Sequence, residues 1–73
     1  MENRKFVVEA AVMRIMKSRK TLSQTLLLSE TAEQVSPFFK PSVPFMKHVF
    51  DILIDKEYLE RDPDNPDVFR YVS

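Results

Sequence analysis

Apolar residues return at helical spacing three times along this chain, and then the spacing changes to alternation. At about 100° per residue, Val8, Ala11, Val12 and Ile15 gather on one side of a first helix. That helix should begin at Glu2 or Asn3, with Asn3 as its N-cap, and end near Ser18, because Arg19 would rotate onto the apolar face. Lys20-Thr21-Leu22 is short enough for a brief strand, after which Ser23 caps a second helix reaching Ser36. There Leu27, Leu28, Thr31, Ala32 and Val35 share a face, and Leu26 lies opposite, toward solvent. Pro37 stops that helix, and the loop Pro37-Phe38-Phe39-Lys40-Pro41 offers two phenylalanines to plug the edge of the core. Ser42 caps a third helix with Pro44 in its first turn; Met46, Val49, Phe50 and Leu53 form its stripe, which ends near Lys56. Tyr58-Leu59-Glu60-Arg61 and Val68-Phe69-Arg70-Tyr71-Val72 then alternate at period two, as half-buried strands do. The intervening Asp62-Pro63-Asp64-Asn65-Pro66-Asp67 is dense in turn formers. With no glycine in the chain, Asn and Asp should supply any left-handed turn position. The fold class is α+β: a winged helix of three helices, a short strand after the first, and a C-terminal β-hairpin wing. It forms one domain over residues 1–73, with no linker or repeat.

Composition narrows the functional classes. Lysine plus arginine and aspartate plus glutamate balance at 11 each, which removes the global argument for nucleic acid or an anionic membrane. There is no cysteine, hence no disulfide framework and no thiolate zinc site. No apolar run reaches the ~20 residues of a membrane span, and the N-terminus lacks a signal-peptide layout, so the chain reads as soluble and intracellular. Met1 before charged Glu2-Asn3-Arg4-Lys5 reads as an arbitrary start. An enzyme reading finds little support. The single histidine, His48, lies outside the stripe of the third helix, and Ser23, Ser29, Ser36 and Ser42 have no nearby His–Asp spacing to activate them. One histidine with scattered carboxylates does not make a metal site, and no cofactor is implied.

Lys17 is the candidate with chemistry. It falls almost opposite the first stripe, so burial of that stripe turns the lysine outward. Its helical neighbours at three and four residues are Met13, Arg14, Lys20 and Thr21. None is acidic, so no carboxylate on this helix ties the ammonium down. Phe6, Ala10 and Met13 lie beside it. Either they pack against the domain's own wing or C-terminus, or they form an apolar collar on which a partner docks.

Ala10-Ala11-Val12-Met13-Arg14-Ile15-Met16-Lys17 followed by Arg19-Lys20 resembles the C-terminal segment of cullins, the scaffolds of RING-type ubiquitin ligases. The resemblance continues in order through Phe39-Lys40-Pro41, the run from Asp51 to Arg61, and the ending Phe69-Arg70-Tyr71-Val72-Ser73, which makes Ser73 the expected natural C-terminus. The chain departs from the family pattern at Met13, Leu26, Pro37 and His48. The resemblance implies a winged-helix neddylation domain in which Lys17 accepts a ubiquitin-like modifier, activating ubiquitination by the ligase without itself catalysing. It implies a partner-binding surface of Phe6, Met13, Arg14, Arg19 and Lys20. The implied partners are the modifier (held covalently), the RING-box subunit, the conjugating enzyme, a neddylation co-ligase and the deneddylating complex, in cytoplasm and nucleus.

The rival is a winged-helix DNA-binding module, with the third helix in the major groove and the wing on the backbone. Its phosphate contacts would need cations on those elements. Instead Lys47 and His48 are set against Asp51 and Asp55, and Asp62, Asp64 and Asp67 occupy the wing turn. Any duplex site would have to use Arg14, Lys17, Arg19 and Lys20.

Overall fold

Serine hydroxyls open two of the three helices. In this computed structural model, which describes residues 3–72, Ser23 Oγ accepts from the Leu26 N–H and Ser42 Oγ from the Phe45 N–H. Each bond satisfies one of the donors that a helix start leaves unpaired. Among the described residues the order is α1 (Arg4–Arg19), β1 (Thr21–Ser23), α2 (Gln24–Val35), α3 (Val43–Asp55), β2 (Leu59–Arg61) and β3 (Val68–Tyr71). The strands form one antiparallel sheet in the order β1-β3-β2, with Leu22 opposite Phe69 and Leu59 opposite Tyr71. This is the winged-helix arrangement that the periodicities predict.

The three stripes meet the inner face of the sheet. Val8, Ala11, Val12 and Ile15 of α1, Leu27 and Val35 of α2, and Met46, Val49, Phe50 and Leu53 of α3 are buried with Leu59 and Phe69. The Phe50 and Phe69 rings meet edge to face with centroids 5.5 Å apart. That contact fastens α3 to the middle strand in a geometry aromatic pairs prefer. Leu28 and Ala32 are half-buried at the margin, and Leu26 is exposed as its position on α2 requires. Met16 is also fully buried, a residue the four-position stripe omits; at one edge of that stripe, it is covered once the other elements close over α1.

Several expectations need correction or trimming. Asn3 stands at the N-cap of α1, but its side chain makes no cap hydrogen bond. Helix α1 continues one residue past Ser18, and Arg19 stays exposed as its last residue instead of turning inward. Phe38 does not plug the core: it is 72% exposed, and only Phe39 packs inward, its ring edge-on to Phe45 at 6.4 Å. The left-handed positions are taken by Lys20 (φ 72°) and Glu57 (φ 65°), not by Asn or Asp. The Asn and Asp of the wing turn form side-chain turns instead. Asp62 Oδ1 accepts from the Asp64 N–H at 2.8 Å, and Asn65 Oδ1 from the Asp67 N–H at 3.2 Å. The strands are shorter than the alternating runs, leaving Tyr58 and Val72 outside them and exposed. Glu2 as a helix start, Met1 as an arbitrary beginning and Ser73 as a natural end all concern residues outside those described.

Candidate functional site

The rigid platform of the site is the C-terminal half of α1. Val12, Ile15 and Met16 anchor it, and the opposite side of the same turns faces solvent. Four cations lie here, and three are restrained by other elements. Arg14 Nε donates to Gln34 Oε1 of α2 at 3.2 Å. Arg19 Nη2 lies 3.1 Å from Glu30 Oε2, also on α2. The Lys20 ammonium sits 4.9 Å from the centroid of the Tyr71 ring on β3, a cation–π contact. Lys17 is exposed and, among the described residues, has no hydrogen bond, ion pair or ring contact. Its basic charge in the last turn also suits the partial negative end of the helix.

Of the surrounding apolar residues, Phe6 is 67% exposed and Ala10 is exposed, so the wing does not cover them. Met13 is half-buried and packs against the core. Of the expected group, Arg14, Arg19 and Lys20 lie within about one turn of Lys17, Met13 offers only its outer edge, and Phe6 lies about three turns back along α1. Helical spacing within α1 cannot reveal that Gln34, Glu30 and Tyr71 restrain the other cations, because those partners come from α2 and β3.

Two of the serines have a structural role. The hydroxyls of Ser23 and Ser42 serve the helix caps. Among the described residues no group of three His, Cys, Asp or Glu could hold a metal ion, and no helix is long and apolar enough to cross a membrane. On the face a DNA-binding winged helix would use, Lys47 and His48 are exposed, but Asp51 is paired with Arg61 at 3.4 Å, and Asp64 and Asp67 stand exposed at the wing tip. Those tip carboxylates would repel phosphates.

The chain and its fold have counterparts among known proteins. Residues 3–65 match the family model of the cullin protein neddylation domain. Cullin-2 of Arabidopsis thaliana is 44% identical over 72 residues, covering 99% of this chain and 10% of that protein. Human Cullin-4A is 43% identical over 72 residues, covering 99% of this chain and 9% of that protein. This chain therefore spans about a tenth of the length of these relatives. A solved structure described as "A Dual E3 Mechanism for Rub1 Ligation to Cdc53: Dcn1(P)-Cdc53(WHB)" superposes with a TM-score of 0.91 at 34% identity, covering 96% of this chain and 80% of that one. The chain belongs to the cullin family and carries that family's neddylation domain.

Proposed function

We propose that Lys17 is the acceptor of a ubiquitin-like modifier of the Rub1 type, in a cullin scaffold of a RING-type ubiquitin ligase. The observation that carries this reading is the contrast at the C-terminal end of α1: Arg14, Arg19 and the C-cap Lys20 are restrained, and Lys17 projects from the helix without a partner among the described residues.

The domain acts as substrate in this reaction. A neutral Lys17 Nζ attacks the thioester carbon at the modifier's C-terminus. The isopeptide bond forms as the thioester bond breaks, the conjugating enzyme's cysteine leaves as thiolate, and the proton the amine sheds passes to that sulfur or to solvent. Deprotonation of the ammonium falls to the incoming conjugating enzyme and ligase, since no carboxylate among the described residues pairs with Lys17. Phe6, Arg14, Arg19 and Lys20, with the edge of Met13, form the surface met by a co-ligase such as the Dcn1 named with the related structure, and by the deneddylating complex. The longer scaffold holds the RING-box subunit, and the attached modifier frees this domain to let ubiquitin transfer proceed, in cytoplasm and nucleus.

The test is reconstitution of the scaffold carrying this domain with its RING-box subunit, conjugating enzyme and modifier. The parent should show one modified band, with mass spectrometry placing the isopeptide on Lys17. Lys17→Arg keeps charge and helix propensity but offers no usable amine at that position, and should lose nearly all of the band, leaving at most slow modification of Lys20, while melting like the parent. Unchanged modification of Lys17→Arg, or an isopeptide mapped to Lys5 or Lys20 in the parent, would make the assignment wrong.

A further inference from the structure

Ser36-Pro37 is the one Ser/Thr-Pro step in the chain. We propose that Ser36 is a phosphorylation site for a proline-directed serine/threonine kinase, and that the phosphate opens the last turn of α2.

The site is accessible. Ser36, Pro37 and Phe38 are all exposed, in the turn that follows α2. Lys40 is exposed as well, and it lines with Ser36, Ala32, Glu33 and Pro41 a surface hollow of about 490 Å³. The chemistry of the neighbouring residues suits this kinase class. A proline after the acceptor brings no N–H to be left unsatisfied in the kinase's apolar cleft. Phe38 and Lys40 then supply an apolar and a basic contact on the C-terminal side.

The backbone is also able to present the serine. Ser36 is the C-cap of α2 and keeps right-handed helical backbone angles, whereas the residue before a proline prefers extended backbone. Fraying of this last turn therefore carries Ser36 toward the extended form that a kinase cleft binds. Within the turn it breaks three hydrogen bonds, from the Ser36 hydroxyl to the Glu33 carbonyl at 2.9 Å and from the Phe38 and Phe39 N–H groups to the Val35 carbonyl at 2.8 and 3.1 Å, while Val35 and Phe39 on either side are packed inward.

In the transfer, Ser36 Oγ attacks the γ-phosphorus of ATP. The Oγ–P bond forms, the bond to the bridging oxygen of ADP breaks, and the hydroxyl proton passes to the kinase's catalytic carboxylate. The product loses the hydrogen bond to Glu33. It also gains charge of about −1.5 to −2 at the helix end that already carries partial negative charge.

Incubating the chain with a proline-directed kinase and ATP should incorporate one phosphate, mapped to Ser36 by mass spectrometry. Ser36→Ala should abolish incorporation. Pro37→Ala leaves the serine in place and should slow it at least tenfold, with circular dichroism confirming that both variants fold. The phosphorylated chain should melt about 2–6 °C below the unmodified one. No incorporation, phosphate on another residue, or equal rates for parent and Pro37→Ala would overturn the site. An unchanged melting temperature in the phosphorylated chain would overturn the opening of α2.

Discussion

Tyr71 holds Lys20 twice. Its N–H donates to the Lys20 carbonyl at 2.7 Å, and its ring lies 4.9 Å from the Lys20 ammonium. The first contact ties the end of α1 to the sheet, and the second draws the amine onto a π face. Lys17, one helical turn earlier, has neither kind of contact among the described residues.

Two lysines so close in sequence should therefore differ as acceptors. In a Lys17→Arg background Lys20 should be modified slowly, and adding Tyr71→Leu should raise its modification about two- to fivefold, the equivalent of an exposed cation–π contact of about 0.5–1 kcal/mol. Quantifying the Lys20 isopeptide by mass spectrometry reads this directly. No gain would show that the ring does not restrain the amine.

Glu57 ends α3 in a left-handed conformation, with the Tyr58 N–H bonded to the Leu53 carbonyl at 3.0 Å and the Glu57 N–H to the Ile54 carbonyl at 2.9 Å. This paired closure usually employs glycine. Glu57→Gly removes a left-handed penalty of about 1–2 kcal/mol and returns part of it as backbone entropy. The variant should gain about 0.5–1 kcal/mol, seen as a higher urea midpoint at unchanged slope. A loss of stability would mean that the glutamate side chain contributes more than its backbone costs.

The core stripes were legible because burial on a helix leaves a periodic trace, and Val8, Val12, Leu27, Val49 and Leu53 obey it. Ser23 and Ser42 were legible because capping depends on residues only two or three positions away. Phe38 and Phe39 were not separable on that basis. What selects Phe39 is non-local: it meets Phe45 of α3, and the Arg4 guanidinium of α1 lies over its ring at 5.2 Å. The same division holds at the site. The lack of an acidic neighbour on its own helix marked Lys17, whereas the restraint of Arg14, Arg19 and Lys20 emerges only when α2 and β3 pack alongside. The left-handed Lys20 and Glu57 carry no sequence mark, because helix closure imposes that conformation on whichever residue follows.

Ile15 and Leu53 lie on facing elements and are 4% and 1% exposed. Replacing either with Ala should cost about 2–5 kcal/mol through lost transfer energy and the cavity left behind. In so small a domain that is enough to populate the unfolded state substantially. Retention of the parent's thermal midpoint in both variants would show that the core is not organised around these stripes.

Duplex DNA should bind weakly. Association near physiological salt should fall in or below the non-specific range, with Kd about 10⁻⁴–10⁻⁶ M, and should weaken further as salt rises. Sub-micromolar binding at that salt, abolished by Lys47→Ala, would restore the nucleic-acid reading despite Asp64 and Asp67 at the wing tip.

Arg61 should matter to the wing through its shape more than its charge. Its Nη1 donates to the Pro66 carbonyl at 3.0 Å, its Nη2 lies 3.4 Å from Asp51 Oδ1, and its Cζ stands 4.9 Å above the Phe69 ring. The partner side chains of the ion pair are 42% and 66% exposed, so that pair is screened and worth little. Asp51→Asn should accordingly cost less than about 0.5 kcal/mol. Arg61→Lys keeps the charge but has neither a planar fork to reach Pro66 and Asp51 together nor a flat face for the ring. It should lose most of the roughly 1–2.5 kcal/mol expected for Arg61→Ala, the sum of one hydrogen bond and a cation–π contact. Urea denaturation of the three variants separates the terms, and hydrogen exchange at the Asp64 and Asp67 amides reports whether the wing turn loosens with the loss. If Asp51→Asn costs as much as Arg61→Ala, the ion pair holds the wing. If Arg61→Lys matches the parent, neither the fork nor the ring contact does.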